Sequence, residues 1–171
     1  MDRTIIVRKK KETDNDQIEN ILNKNFGENR HQRTVYLYRK KSPIKGLSLV
    51  SCFKEDPNTV IGTITFYRTL VRNINCLLLG PLAVSVLFQG KGFGKLLVRK
   101  GLEIAKQKNE AICFVSGKYN YYKEFEFLKL SNKNLSIKAL GDLTYGELLI
   151  RELKKDSIKL LPLKAQLLPE K

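Results

Sequence analysis

Cysteine, histidine and long apolar runs are all scarce in this chain of 171 residues, and each scarcity removes a class of protein. Cys52, Cys76 and Cys113 stand far apart, with no C-x-x-C spacing. An odd, scattered set of this kind builds neither a disulfide frame nor a zinc site. It fits buried thiols in a reducing cytosol, so a cytoplasmic location and no metal are expected. His31 is the single histidine, set in a polar stretch without neighbours that would orient it as a base, and it reads as a solvated loop residue. No apolar run approaches the roughly twenty residues that cross a membrane. The first ten residues hold no apolar core of the kind a secretory leader uses, so none is expected. No repeat and no linker divides the chain, and its length suits one domain with a core of its own. Acids are few as well: 17 against 32 bases, a net charge of +15. Such a charge invites a polyanion partner. The bases are, however, spread through the chain among acids, and their densest run is only Arg8-Lys9-Lys10-Lys11. A general preference for lysine is the favoured explanation, with a ribosome- or RNA-associated protein as the alternative.

What the chain does have is a strand, a glycine-rich turn and a helix in succession. The run Leu77-Leu78-Leu79-Gly80-Pro81-Leu82-Ala83-Val84-Ser85-Val86 is apolar almost throughout, as in a strand covered on both faces. Gly90, Gly92 and Gly94 follow. Without a Cβ, these residues let the backbone turn tightly and bring its N–H groups close to a ligand. A helix over 95–106 comes next, with Phe93, Leu97, Gly101, Ile104 and Ala105 on one face and Lys95, Arg99, Glu103 and Lys106 on the other. Its first amides and its positive dipole end point at the same turn, so an anion, phosphate first, is the expected guest. Lys95 stands where the dinucleotide fingerprint needs its last glycine. Leu96 stands where the P-loop needs a hydroxyl to hold magnesium. Three glycines so close together cost about 0.5–1 kcal/mol each, more than a simple packing turn warrants.

Elsewhere, 4–10 reads as a strand, and Thr13 as the N-cap of a helix carried by Ile18, Ile21, Leu22 and Phe26 and closed by Gly27. A short helix is expected over 34–39, and a hairpin from 47–53 and 59–71. Residues 111–115 are a buried strand that completes a strand–helix–strand crossover with parallel strands. One or two helical turns carry the tyrosines of 118–122, a strand runs from 125 or 126 to 130, and 145–153 is expected to be the last strand. Residues 154–171 show no clean period.

Gln89, Gly92 and Gly94 satisfy the pattern Q/R-x-x-G-x-G/A. Together with Leu79-Gly80-Pro81-Leu82-Ala83-Val84 and with Tyr121-Tyr122-Lys123-Glu124-Phe125-Glu126-Phe127, this resembles the GNAT superfamily of N-acetyltransferases. The likeness is to a bacterial branch of predicted N-acetyltransferases with an L-G-P-L-A-V strand and a Y-Y-x-x-F-G-F motif. It covers residues 47–127 best, and it departs at Glu126, where the branch has glycine.

The resemblance implies an α/β (α+β) fold. Its central sheet would be mixed, mostly antiparallel and twisted, with about six or seven strands flanked by about four helices. A splay would separate the strand ending near Val86 from the one starting near Ala111. Residues 1–153 would be the acetyltransferase domain and 154–171 a tail.

The resemblance also implies acetyl-CoA as cosubstrate. Backbone groups of Leu82, Ala83 and Val84 would pair with the pantetheine arm. The amides of Gln89, Gly90, Lys91, Gly92, Phe93, Gly94 and Lys95 would hold the pyrophosphate. Tyr122 would be the general acid that protonates the leaving thiolate, although Tyr121 and Tyr122 read equally well as packing aromatics. The acceptor would be an unidentified primary amine, on a small molecule or a protein, attacking directly with no metal. The acceptor pocket would be built from the first helices and residues 28–43, in a monomer or homodimer. No acid lies between 76 and 86 to serve as base, which leaves Glu124, Glu126 or the Glu28–His31 loop acting through water. That missing acid, with Glu126, keeps a non-catalytic coenzyme A-binding module open as an alternative.

Overall fold

In a computed structural model of the chain, residues 3–32, 34–141 and 146–171 are described. β-branched and aromatic side chains, which fit a pleated half-buried surface, fill β1 (Ile5–Lys9), β2 (Ser48–Phe53) and β3 (Gly62–Val71). With β4 (Ile74–Val84) they form an antiparallel meander, interrupted between β1 and β2 by α1 (Asn15–Phe26). The crossover helix α2 (Phe93–Gln107) leads to β5 (Ile112–Gly117), which lies parallel to β4. The short α3 (Tyr119–Tyr122), β6 (Leu128–Lys129), β7 (Ser136–Lys138), β8 (Glu147–Glu152) and β9 (Lys164–Pro169) complete the chain. The sheet order is β1-β2-β3-β4-β5-β8-β6, with β9 joining β3 to β7. The described residues thus hold nine strands and three α-helices. The strands beyond those expected are β7, whose three residues are too short to show an alternating pattern, and β9.

Several local readings change. Helix α1 begins at Asn15, and Thr13 sits in a preceding 3₁₀ turn rather than at the N-cap. The polar anchor of this start is Asp14, whose carboxylate accepts from the Lys11 amide at 2.7 Å and from the Arg8 guanidinium at 2.8 and 2.9 Å. A hydroxyl would neutralise no guanidinium, so the carboxylate takes the position. Residues Thr34–Tyr38 form a 3₁₀ turn. The strand expected from 125 or 126 shrinks to Leu128–Lys129 because Lys123–Phe125 stays in a 3₁₀ turn and Glu126 is left-handed, at φ 63 and ψ 22. Glycine adopts this conformation freely. Here glutamate holds it, with its carboxylate 2.5 Å from Arg151. Residues 142–145, and with them the start of the strand expected over 145–153, lie outside the described residues.

The segment beyond 153 is part of the sheet. β3 outruns β2, pairing with it only through Ser51–Ser48, and its free end at 69–71 pairs with β9. Leu167 is fully buried there, and the Tyr38 hydroxyl donates to its carbonyl at 2.7 Å.

The feature that opens a site is the parting of β4 from β5. They pair only from Leu77 with Cys113 to Leu79 with Val115. Opposite β3 the register then shifts, Phe66 facing Leu79 but Ile64 facing Leu82, so β4 carries the extra residue of a bulge at Gly80-Pro81. The bulge bends β4 away, while β5 follows β8 as far as Gly117. The splay expected between these strands is present. Helix α2 covers one face of the sheet through Phe93, Leu97, Val98, Leu102 and Ala105. Gly101 completes that face, since a Cβ there would stand 2.5 Å from the Phe66 ring. α1 packs on the other face through Ile18, Ile21 and Leu22.

Candidate active site

Between the end of β4 and the start of α2, the chain makes a turn that favours glycine. Gly90 and Gly92 have φ of 76° and 88°, where a Cβ is strained. Gly94 is needed for space instead: a Cβ on it would lie 2.9 Å from the Tyr121 hydroxyl oxygen. The turn is tied down at its start. Gln89 Nε2 donates to Asn25 Oδ1 at 2.8 Å and to the Val84 carbonyl at 3.2 Å, and Asn25 Nδ2 reaches the same carbonyl at 3.0 Å. The rings of Phe53, Phe88 and Phe93 pack edge to face at 5.6–5.8 Å beneath it. The amides of α2's first turn have no carbonyl partner inside the helix and face outward.

A groove of about 340 Å³ starts at this turn and follows β4. Leu82, Ala83, Val84, Gln89, Gly90, Gly92, Phe93, Gly94 and Lys95, all expected at the cofactor, line it, together with Asn25 and Tyr121. Lys91 is exposed at the turn with its ammonium 5.2 Å from the Phe88 ring, whereas Lys95 is paired with Glu124 at 2.7 Å. The Val84 carbonyl is already taken by Asn25 and Gln89. Asn25 left no signal in the sequence beyond its place on a helical face.

The two tyrosines of α3 have different surroundings. Tyr122 is 8% exposed and packs against Phe125, Phe127 and Tyr121. Its ring also fills the space a Gly117 side chain would take, at the end of β5. Burial pushes its hydroxyl well above the usual tyrosine range. Tyr121 is half-buried, lines the groove, and is raised less, first by burial and then by the nearby Glu124. Tyr121 therefore faces the groove beside Gly94, whereas Tyr122 packs into the core against Gly117 and lines neither cavity.

A second cavity, of about 310 Å³, lies farther along α1 and meets β4 at Pro81, next to Leu82 of the groove. Its walls are α1, residues 30–43 and β3, including Thr63, Thr65 and Tyr67. His31 is exposed at this cavity, its ring edge-on to Tyr36 at 4.7 Å. The other base candidates lie elsewhere. Glu124 is held by Lys95 and Arg99, and Glu126 by Arg151, both on the outer flank of α2. Glu28 is exposed and lines neither cavity.

Among the described residues no helix is long and apolar enough to cross a membrane, and no three His, Cys, Asp or Glu side chains gather to hold a metal ion. Cys52, Cys76 and Cys113 are buried and free, with burial raising the Cys76 thiol to about 12.

The fold has solved counterparts. A GNAT-family N-acetyltransferase of Escherichia coli, solved with CoA, superposes with a TM-score of 0.81 at 20% identity, covering 99% of this chain and 92% of its own. An acetyltransferase of the same family from Brucella melitensis, solved with acetyl-CoA, gives 0.62 at 24% identity over 86% and 96%. Ard1 from Thermoplasma volcanium gives 0.62 at 16% over 88% and 99%. No curated protein sequence matches the chain significantly. The model of the acetyltransferase (GNAT) family matches residues 15–127, from the first residue of α1 through the groove to Phe127, and the chain belongs to that family.

Proposed function

We propose that this protein transfers the acetyl group of acetyl-CoA to a primary amine, by direct attack with both substrates bound. The observation that carries the reading is the Gln89–Lys95 turn, whose left-handed glycines leave amides open at the start of α2 and at the head of a groove leading into the splay. That cradle suits a pyrophosphate, because neither Gly90 nor Gly92 has a heavy atom of another residue within 4 Å of a Cβ built on it. Lys91 adds a positive charge at its rim that forms no ion pair among the described residues. The edge of β4 left free by β5, at Leu82, Ala83 and Val84, offers backbone groups to an extended pantetheine arm.

The reaction asks mainly for positioning. The amine nitrogen bonds to the thioester carbonyl carbon as the carbon–sulfur bond breaks, giving an amide and the coenzyme A thiolate. A β4 amide near Val84 stabilises the charge that develops on the carbonyl oxygen. The acceptor ammonium first loses a proton through solvent in the second cavity, which His31 lines. Tyr122, kept protonated by burial, returns a proton to the thiolate. The buried free thiols fit a cytoplasmic protein.

A thermal-shift titration with acetyl-CoA tests the reading. At a hundred times its dissociation constant the ligand adds about 2.7 kcal/mol of stability, and Gly92→Glu abolishes the shift. Absence of any shift in folded protein defeats the proposal. For the acid, Tyr122→Phe lowers kcat about a hundredfold while Tyr121→Phe acts mainly on the KM for acetyl-CoA. The reverse pattern moves the role to Tyr121.

A further inference from the structure

The second cavity carries an excess of positive charge that the fold itself does not neutralise. Arg30, Arg39 and Lys10 face it against one acid, Glu19. Glu19 is already committed, since Arg30, only 2% exposed, donates to it and to Asn23. Arg39 has no such partner. Its guanidinium stacks on Tyr36 at 4.2 Å and lies 5.7 Å from the Tyr67 ring. Its Nε is buried without a hydrogen bond, and no carboxylate among the described residues forms an ion pair with it. Burial makes its charge harder to hold than in water; the Tyr36 and Tyr67 hydroxyls offset part of this, and Arg30 nearby adds to it.

Stacking on a tyrosine offsets only part of the cost of partly desolvating a charge that has no counter-ion. A half-buried guanidinium with its Nε unsatisfied beside a cavity is matched to a carboxylate or phosphate, which it can grip with two parallel hydrogen bonds. Its position fixes how far that anion can be from the chemistry. One Arg39 Nη stands 3.7 Å from a Cβ built on Gly80, directly before Pro81 and Leu82, where the two cavities meet. An anion on Arg39 and an amine at the splay must therefore belong to one small molecule. A polyamine or a lysine side chain would bring a second cation to two guanidiniums.

We propose that the acceptor is a small primary amine that also bears a carboxylate or phosphate, gripped by Arg39 with Arg30 behind it. The inference rests on the acetyl-transfer reading for the identity of the neighbouring groove. The transfer itself balances as before: the amine gives up a proton to solvent, a carbon–nitrogen bond replaces the carbon–sulfur bond, and the thiolate is protonated.

The test uses the full chain and pairs of amines that differ only in the anion. Amino acids are set against their amides, and phosphoethanolamine against ethanolamine, with spermidine and a lysine peptide as cationic controls. Coenzyme A release is expected to favour the anionic member of at least one pair about tenfold or more in kcat/KM. Preference for carboxylate or for phosphate names the source. Arg39→Gln should erase the preference through KM, and Arg39→Lys should keep part of it, both with acetyl-CoA binding intact by thermal shift. Equal or better use of neutral or cationic amines overturns the proposal, as does an unchanged preference in folded Arg39→Gln. A thermal shift by the amines alone, without acetyl-CoA, separates the two readings. Arg39-dependent stabilisation by anionic amines supports this one even if acetyl-CoA fails to bind, and its absence across the panel defeats this one even if acetyl-CoA binds.

Discussion

Asp14 is a single carboxylate on which the start of α1 and the end of β1 both depend. It is 2% exposed, and the Arg8 guanidinium, with the Lys11 amide, holds it below the usual aspartate range despite the opposing effect of burial. A group whose pKa is depressed on folding contributes its full stability above its unfolded value and loses it as the pH falls through the folded one. Asp14→Asn should therefore cost about 2–3 kcal/mol near neutrality. The gap in urea midpoint between the two proteins should close as the pH drops below the aspartate range. A gap that stays constant with pH would mean that the carboxylate's charge is not what stabilises. Glu126 teaches the complementary lesson. The glycine missing from the resembled motif marks a left-handed residue, and the backbone keeps that conformation even with a glutamate in place.

At the scale of elements, β9 explains why a tail without a clean period belongs to the sheet. Its Leu167 fills the core, and its carbonyl takes the Tyr38 hydroxyl, which in turn accepts from the Leu140 amide at 2.8 Å. Tyr38 closes the same 3₁₀ turn that carries Tyr36, with Arg39 next in the chain, so the C-terminal strand anchors one wall of the proposed acceptor cavity. Tyr38→Phe leaves a buried carbonyl and a half-buried amide unpaired, at about 1–3 kcal/mol. Differential scanning calorimetry should register a fall of a few degrees, about 2–4 °C per kcal/mol for a chain of this size. The KM for the acceptor should rise more than that for acetyl-CoA, because only one of the two cavities borders this turn. Equal effects on both would assign the bond to general stability alone.

Over the whole molecule, the net charge of +15 draws anions from a distance, coenzyme A and the proposed acceptor alike. Screening shortens that reach to about 8 Å at physiological ionic strength. Stopped-flow association of acetyl-CoA should accordingly slow as salt rises from about 0.01 to 0.15 M, with little change in the dissociation rate. A salt-independent association rate would mean that the excess lysines play no part in capture.

How far the sequence spoke depends on where the information is local. The β4–turn–α2 unit was legible because each of its signals is local: an apolar run, three close glycines and a helical face spaced at 3.6 residues. That stretch by itself predicted an anion cradle at a helix start, and with the tyrosine motif it pointed to the family. What the chain could not announce is whatever depends on distant segments meeting. Thr13 gave way to Asp14 because Arg8 of β1 lies opposite, and Asn25 reached the turn from another helix. Tyr121 and Tyr122, adjacent in sequence, were parted, one to the groove and one to the core, only by packing beside Gly94 and Gly117. The unpaired charge of Arg39 is of the same kind. A guanidinium is ordinary on a surface, and it becomes a demand for an anion only when tertiary packing half-buries it, as here, with no carboxylate among the described residues to pair it.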